Sequence, residues 1–166
     1  MTTEICIFLL HVWILNFSLQ LTNVLPRKDY LVWLLGSIDF NKKFFDGRSI
    51  LGEGRTFGGL LLIMIFSMFL SFSDFYSPAH VFVLGLSVFL GDLSGSFIKR
   101  RLNYPRGKFL PLVDHGDYLI FAGFVGWYFL NLITLNMFIV SVLINYIIHP
   151  IWCRLGFLIK IKNEPW

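Results

Sequence analysis

Long apolar stretches alternate with polar, glycine-rich connections along this chain. A membrane-spanning helix needs about 20 mostly apolar residues. The stretch Tyr118–Ile148 is long enough for two short spans, with a turn near Asn131–Asn136 and the last helix continuing through Pro150 to about Leu155. The alternative is one long tilted helix. The pattern predicts five transmembrane helices. The first three are Ile5–Val24, Gly58–Phe72 and Val81–Ile98.

Composition agrees with an all-α integral membrane protein. Of the 166 residues, 56% are hydrophobic and 14% are charged, and the mean hydropathy is +0.70. A soluble domain has about 45–50% apolar and about 25% charged residues. We expect a single membrane-embedded domain over residues 1–166. The N-terminal MTTE lacks the basic residues of a cleavable signal, so the first span is expected to be retained.

The distribution of charge predicts the orientation of the spans. With five spans, all 14 lysines and arginines fall on one side of the membrane. The positive-inside rule then places the basic loops and the C-terminus in the cytoplasm and the N-terminus outside. The segment Tyr30–Leu35 is apolar but too short to span, and its aromatic residues predict an interfacial or re-entrant piece.

The third span ends in residues that carry chemistry. A carboxylate in a span is expensive, so Asp92 indicates a site that handles an ion, a phosphate or a proton. Ser96 and Lys99 follow at helical spacing on the same face. Arg100 and Arg101 come next. For all three cations the alternative is ordinary snorkelling and topology determination at the membrane surface, and it is weakest for Lys99, which shares the face of Asp92.

The same span carries a row of small residues at every fourth position. These are Ser87, Gly91 and Gly95. Such a row lets the backbone of another helix approach closely. We therefore expect a tight helix contact beside Asp92.

The second candidate group lies between the third and fourth spans. Arg106 is a candidate phosphate ligand, and Asp114, His115 and Asp117 stand at the start of the fourth helix. Mg²⁺ typically takes one or two carboxylates together with substrate phosphates and waters, so Asp114 and Asp117 with Asp92 are a plausible magnesium set. One of the two is alternatively a helix cap. His115 is a phosphate donor, a base or a packed loop residue.

The first loop, residues 46–59, combines glycines with two arginines. Arg48 and Arg55 offer forked donors suited to phosphate oxygens. Glycines allow close backbone approach and an anion-binding nest of amides. The candidate binding glycines are Gly52, Gly58 and Gly59. The spacing is not that of a Walker A motif.

Other polar residues in the spans have structural interpretations. Asn16, Gln20 and Asn23 recur at helical spacing, for which hydrogen bonding between helices is favoured over substrate contact. Cys6 and Cys153 lack metal-ligand spacing and are interpreted as buried thiols.

At these loops the sequence resembles the archaeal CDP-archaeol synthases. The matching segments are DGRSILGEGRTFGG and GDLSGSFIKRRL…RG…PLVDHGD. The second segment is also similar to the signature of phosphatidate cytidylyltransferases, which its spacing does not reproduce and whose final Asp-Arg pair it lacks. The residues that follow that outline are Ser96, Lys99, Arg100, Asp114, Gly116 and Asp117.

The resemblance implies a membrane cytidylyltransferase. CTP would react with an isoprenoid ether-lipid phosphate, 2,3-bis-O-(geranylgeranyl)-sn-glycerol 1-phosphate, and release pyrophosphate. We expect Asp92, Asp114 and Asp117 to hold Mg²⁺, and Lys99 and Arg100 to stabilise the reacting phosphates. The expected substrate-binding residues are Arg48, Gly52, Arg55, Gly58, Gly59, Ser96, Arg101, Arg106 and His115.

Two alternatives remain open at this point. A CDP-alcohol phosphatidyltransferase motif also begins with Asp-Gly, as at Asp46-Gly47, but needs further aspartates on the following helix, and Gly58–Phe72 has none. A non-enzymatic transporter or anionic-lipid-binding protein would need a polar path across the membrane. No nucleic-acid partner is expected, and the oligomeric state stays open.

Overall fold

A bundle of helices forms the protein in the computed structural model. The structure describes residues 2–23, 36–52, 54–105 and 108–161. Its helices are α1 (Thr2–Gln20), α2 (Phe57–Leu70), α3 (Pro78–Arg101), the short α4 (Pro111–Asp114), α5 (Asp117–Tyr128) and α6 (Leu135–Leu158). Within these residues there are two isolated β-bridges, Ser37–Thr56 and Lys43–Ser49, and no strand. The predicted all-helical class is confirmed.

Local sequence signals set the helix boundaries. Thr56 caps α2 by accepting a hydrogen bond from the Gly59 amide. Ser77 caps α3, and Pro78 follows as the first helical residue, where its missing N–H costs nothing. The predicted break in the last apolar stretch is also confirmed, because α5 ends at Tyr128 and α6 begins at Leu135.

Three described helices, α1, α3 and α6, are long and apolar enough to cross a membrane. The helix α2, with the 3₁₀ turn that extends it to Ser73, and the 12-residue α5 are shorter than the usual span. Large apolar side chains such as Leu143 and Ile147 are more than half exposed, as lipid-facing residues are. The protein is therefore a membrane protein. The predicted interfacial piece Tyr30–Leu35 lies outside the described residues.

The core lies where α1, α2, α3 and α5 meet. Phe8, Leu15, Ile63, Leu84 and Leu119 are fully buried there. Gly59 near the start of α2 faces Leu19 at the end of α1 and Phe89 of α3. The end of α1, the start of α2 and the C-terminal half of α3 therefore lie at the same end of the bundle, which also holds the candidate site.

One prediction about the cysteines is wrong. Cys153 is buried, whereas Cys6 is exposed. In a membrane protein an apolar residue near the end of a helix is stable against lipid, so an apolar neighbourhood in the sequence does not require burial in protein.

Candidate functional site

An ion pair joins the first loop to the carboxylate in α3. Arg55 Nε lies 2.7 Å from Asp92 Oδ2, and Asp92 is buried. The backbone of Arg55 is fixed by its neighbours, because its carbonyl accepts a hydrogen bond of 2.9 Å from the Ile38 amide. The first loop thus places the Arg55 guanidinium against the buried Asp92 carboxylate. The sequence predicted both residues as site residues but did not predict that they pair.

The close helix contact predicted from the small-residue row is present, and the partner is α5. A Cβ added to Gly91 would lie 2.6 Å from the Asp117 carbonyl oxygen and from Tyr118 Cα. A Cβ on Gly95 would overlap the Asp117 carboxylate itself. Glycine at both positions therefore lets Asp117 settle against α3. The charges of Asp92, Arg55 and Asp114 all act on the Asp117 carboxyl group.

Asp114 is engaged by a cation and by the backbone. Lys99 Nζ donates to both carboxylate oxygens of Asp114, at 2.8 and 3.0 Å. The Leu110 amide donates to Asp114 Oδ2 at 2.7 Å. This carboxylate therefore closes the turn that carries α4 and fixes the end of the Lys99 side chain beside it.

Arg101 ties the first loop to the end of α3. Its Nη1 lies 2.7 Å from Asp46 Oδ1, and its guanidinium lies over the rings of Phe44 and Phe97, 4.7 and 5.0 Å from their centroids. Arg48 Nη1 donates to the Arg101 carbonyl at 2.7 Å. Both arginines were predicted to bind substrate. The structure places both in the contact between the first loop and the end of α3.

Arg100 lies under the loop. Its Nη1 donates to the Tyr104 carbonyl at 2.7 Å. Gly52 has a φ of +84° and lies against the Arg100 side chain, so the turn that glycine permits here brings loop backbone to this cation. Three further predicted binding residues, Gly58, Gly59 and Ser96, are buried at the same end of the bundle. Arg106 lies outside the described residues.

Asp39 is a site-organising residue that the sequence analysis missed. Its Oδ2 accepts hydrogen bonds from the amides of Leu51 and Gly52, at 2.8 and 3.1 Å, and its Oδ1 accepts from the Ser37 hydroxyl and the Asn41 amide. Burial by itself would raise the pKa of Asp39, but these hydrogen bonds outweigh it and hold the pKa below its ordinary value. The bond from the Asn41 amide to the Asp39 side chain, two residues earlier, is the pattern of an Asx-turn, which aspartate favours.

His115 has a packed position. It is buried, with its ring centroid 4.9 Å from that of Phe109 and 5.1 Å from that of His149. Its carbonyl accepts a hydrogen bond from the side-chain amide of Asn145. His115 is therefore packed among aromatic rings, and its predicted role in substrate binding stays a prediction.

A buried polar network continues from this position into α6. Asn145 Oδ1 accepts from Trp13 Nε1 at 2.8 Å and from the Tyr118 hydroxyl at 2.7 Å. The Tyr118 oxygen is also 2.7 Å from His149 Nδ1. The network joins α1, α5 and α6 behind the carboxylates. Nothing in the spacing of the sequence predicted it.

The predicted magnesium site stays a prediction, and the carboxylates Asp92 and Asp117 are the predicted ligands that suit it. They come from two helices held in contact by glycine and lie at the end of the bundle that carries the cations, and carboxylate oxygens are preferred magnesium ligands.

The ligating atoms of His115, His149 and Cys153 also lie within 4.8 Å of one another. Sulfur and imidazole suit zinc or copper, so this second cluster does not match the predicted magnesium site.

Comparison with known proteins identifies the family. The family model described as "CarS-like: CDP-archaeol synthase" matches residues 9–166. The chain belongs to the CDP-archaeol synthase family. As a member of this family it is a cytidylyltransferase of archaeal lipid biosynthesis.

Individual relatives agree with this assignment. A CDP-archaeol synthase of Pyrobaculum islandicum is 36% identical over 134 residues, which cover 78% of this chain and 81% of the relative. A CDP-archaeol synthase of Thermofilum pendens is 30% identical over 164 residues, which cover 96% and 79%. A solved structure of an intramembrane enzyme for archaeal membrane lipids biosynthesis has a TM-score of 0.64 and 25% identity, and covers 86% of this chain and 88% of that one.

Proposed function

We propose that this protein transfers CMP from CTP to 2,3-bis-O-(geranylgeranyl)-sn-glycerol 1-phosphate, with Mg²⁺ as the cofactor. The products are the CDP-lipid and pyrophosphate. The observation that carries the proposal is the pair Asp92 and Asp117, brought together by Gly91 and Gly95 next to the Arg55 guanidinium. Membership of the CDP-archaeol synthase family supports the choice of nucleotide and lipid.

Charge repulsion between two phosphates is the main barrier to this reaction. An oxygen of the lipid phosphate attacks the α-phosphorus of CTP, and the bond from that phosphorus to the pyrophosphate oxygen breaks. The lipid phosphate is already anionic, so no strong base is needed. Catalysis then consists of positioning and of stabilising the charge that develops. Bound Mg²⁺ would neutralise phosphate oxygens and favour departure of pyrophosphate.

The proposed roles follow from the contacts of each residue. Asp92 and Asp117 would hold the metal. Asp114, bound by Lys99 and by the Leu110 amide, would keep the Lys99 ammonium aimed at the nucleotide phosphates. Arg100, beneath the glycine turn of the first loop, would bind the leaving pyrophosphate. This assignment makes Asp114 a positioning residue rather than a primary metal ligand.

We also infer that the basic end of the bundle faces the cytoplasm, where CTP is found. The end of α3 carries Lys99, Arg100 and Arg101 and contacts the arginine-rich first loop. His149 in the second half of α6 meets Tyr118 at the start of α5, so the C-terminal part of α6, which carries Arg154, points toward this end too. The positive-inside rule supports this orientation and five crossings by α1, α2, α3, α5 and α6.

Two parallel incubations separate the candidate functions, one with CTP and the lipid phosphate and one with a supplied CDP-lipid. Purified protein in detergent is given labelled CTP, Mg²⁺ and the geranylgeranyl glycerol phosphate. The proposal predicts one pyrophosphate per CDP-lipid formed. Release of CMP from a supplied CDP-lipid would instead support a phosphatidyltransferase, and binding of the lipid without any product would support a lipid-binding protein. Either of these results contradicts the proposal.

A further inference from the structure

Three buried side chains with nitrogen and sulfur ligand atoms meet between α6 and the turn that joins α4 to α5. His115 lies in the turn, and His149 and Cys153 lie on α6. All three are buried, and one ligand atom of each lies within 4.8 Å of the other two. Imidazole nitrogen and thiolate sulfur are ligands that zinc prefers, whereas magnesium prefers oxygen.

The positions of the three residues suit a single ion. His149 and Cys153 are four residues apart on α6, so their side chains lie on one face of the helix, one turn apart. The ring of His115 lies beside them, with its centroid 5.1 Å from that of His149. Ligands of a tetrahedral zinc ion are about 3.3–3.6 Å apart, so movements of at most about 1.5 Å would close the set. Because the third ligand comes from a distant part of the chain, the sequence did not indicate the cluster.

The hydrogen-bond network behind the cluster sets the tautomer of His149. Trp13 Nε1 can only donate, so Asn145 Oδ1, which is 2.8 Å away, is an acceptor. The Tyr118 hydroxyl therefore donates its proton to the same oxygen, at 2.7 Å. With that proton used, the Tyr118 oxygen accepts from Nδ1–H of His149, which is also 2.7 Å away. Nε2 of the neutral His149 ring then carries the lone pair that a metal ligand needs.

We propose that His115, His149 and Cys153 bind one zinc ion, with a water molecule in the fourth position. Three protein ligands and a water are a common zinc set. Binding converts the Cys153 thiol to a thiolate and releases its proton to solvent. Tyr118 is a positioning residue, because its oxygen orients the His149 ring as a second-shell acceptor does behind many metal-bound histidines.

The zinc site and the two carboxylates of the turn face different helices. Asp114 is bound by Lys99 of α3, and a Cβ on Gly95 of α3 would overlap the Asp117 carboxylate. His115 lies between these two acids in the sequence but meets α6. The ion would therefore tie the turn to α6 from the side opposite α3. Its role is structural, and the inference does not depend on the proposed function.

Cobalt is the probe for this site, because Co²⁺ occupies zinc sites and absorbs light when a thiolate binds it. The full-length protein in detergent is stripped with a chelator, kept reduced, and titrated with Co²⁺ in excess Mg²⁺, which competes at carboxylates. We expect a cobalt–thiolate charge-transfer band in the near ultraviolet that saturates at about one Co²⁺ per chain. Zn²⁺ should remove the band, because it binds such ligands more tightly than Co²⁺.

The two cysteines provide a matched pair of variants. Cys153→Ser should abolish the band, whereas Cys6→Ser, at the exposed cysteine outside the cluster, should keep it. Tyr118→Phe keeps all three ligands and removes the acceptor for His149, so it should weaken Co²⁺ binding about 10–100-fold. Zn²⁺ at about 100 times its Kd should raise the melting temperature of wild type and Cys6→Ser by about 5 °C and leave that of Cys153→Ser unchanged.

Two results would overturn the proposal. Wild-type protein without the charge-transfer band would show that the three side chains form a packed hydrogen-bonded cluster that binds no metal. A band that persists in Cys153→Ser and disappears in Cys6→Ser would place the thiolate ligand at the other cysteine.

Discussion

Arg55 Nε and Asp92 Oδ2 are 2.7 Å apart, and this ion pair is the point where the first loop meets the buried part of α3. The two residues are separated by a whole helix and its connection in the sequence. Their pairing gives the carboxylate a cationic partner and gives the loop a fixed position. Because the Arg55 side chain is 31% exposed, solvent screens part of the attraction. The ion pair therefore mainly fixes the position of the first loop and adds little to the folding stability of the protein.

Replacing Arg55 should reduce activity to an extent that depends on the replacing residue. Arg55→Lys keeps the charge and loses the planar fork, so kcat/KM should fall about tenfold, whereas Arg55→Met should lower it at least about 100-fold. CDP-lipid formation at saturating Mg²⁺ measures both. Arg154→Met, which removes an exposed arginine from α6, is the matched control and should stay near wild type. More than half of the wild-type activity in Arg55→Met would contradict the proposed role.

Adding a methyl group at the α3–α5 contact should lower mainly the folding stability at one glycine and mainly the activity at the other. Gly91→Ala places a Cβ against the α5 backbone, which cannot rotate away, so we expect a loss of about 1–3 kcal/mol in stability. Gly95→Ala pushes mainly on the Asp117 side chain, so activity should fall more than the melting temperature. Leu90→Ala, at a half-exposed position of the same helix, is the control. A Gly95→Ala protein with normal activity would show that the position of Asp117 is unimportant.

The metal requirement should distinguish the carboxylates. Asp117→Asn should raise the Mg²⁺ concentration for half-maximal activity at least about tenfold, because it weakens a charged ligand. Asp114→Asn should leave that concentration within about twofold and lower kcat instead, since it releases Lys99. Mg²⁺ titrations of the three proteins measure this. A metal requirement shifted in Asp114→Asn and unchanged in Asp117→Asn would reverse the assignment.

Lys99 and Asp114 should be coupled energetically. The double-mutant cycle of Lys99→Met and Asp114→Asn should give a coupling free energy of about 0.5–3 kcal/mol in thermal or chemical denaturation, as expected for a partly buried pair in contact. Additive effects of the two substitutions would mean that the observed contact of 2.8 Å contributes nothing to stability.

Asp39 should keep the first loop folded at every pH above its lowered pKa. Its hydrogen bonds lower its pKa, so the charged form is bound more tightly in the folded loop than in an open one. That contribution is present above the ordinary pKa of about 4 and is lost as the pH falls through the lower folded value. Amide exchange of Leu51 and Gly52 should therefore stay slow at pH 5 in wild type and become fast in Asp39→Ala. Equal exchange rates in the two proteins would contradict this stabilisation of the first loop by Asp39.

Periodic features of the sequence predicted the framework well. The length of the last apolar stretch predicted the break between α5 and α6, and the row of Ser87, Gly91 and Gly95 predicted a close helix contact. Both depend on rules that act within one segment, namely the thickness of a bilayer and the size of a side chain.

Pairings between segments were not predictable in the same way. The sequence placed Arg55, Lys99 and Arg101 in the site, but which carboxylate each one meets depends on how the loop folds onto α3. Asp39 and Asn145 act through hydrogen bonds to distant residues, and a single polar residue in an apolar or loop context does not show its partner. Cys6 was misassigned because lipid-facing and core positions have the same composition.

The buried carboxylate of Asp92 provides the most direct test of the account. Asp92→Asn keeps the shape of the side chain and removes its charge, and Asp74→Asn is a matched control at a residue in left-handed backbone, a conformation that asparagine also adopts. The measurement is the initial rate of CTP-dependent CDP-lipid formation at saturating Mg²⁺. We predict a loss of at least about 100-fold for Asp92→Asn and less than about twofold for Asp74→Asn. A near wild-type rate for Asp92→Asn would contradict a cytidylyl-transfer site built around this residue.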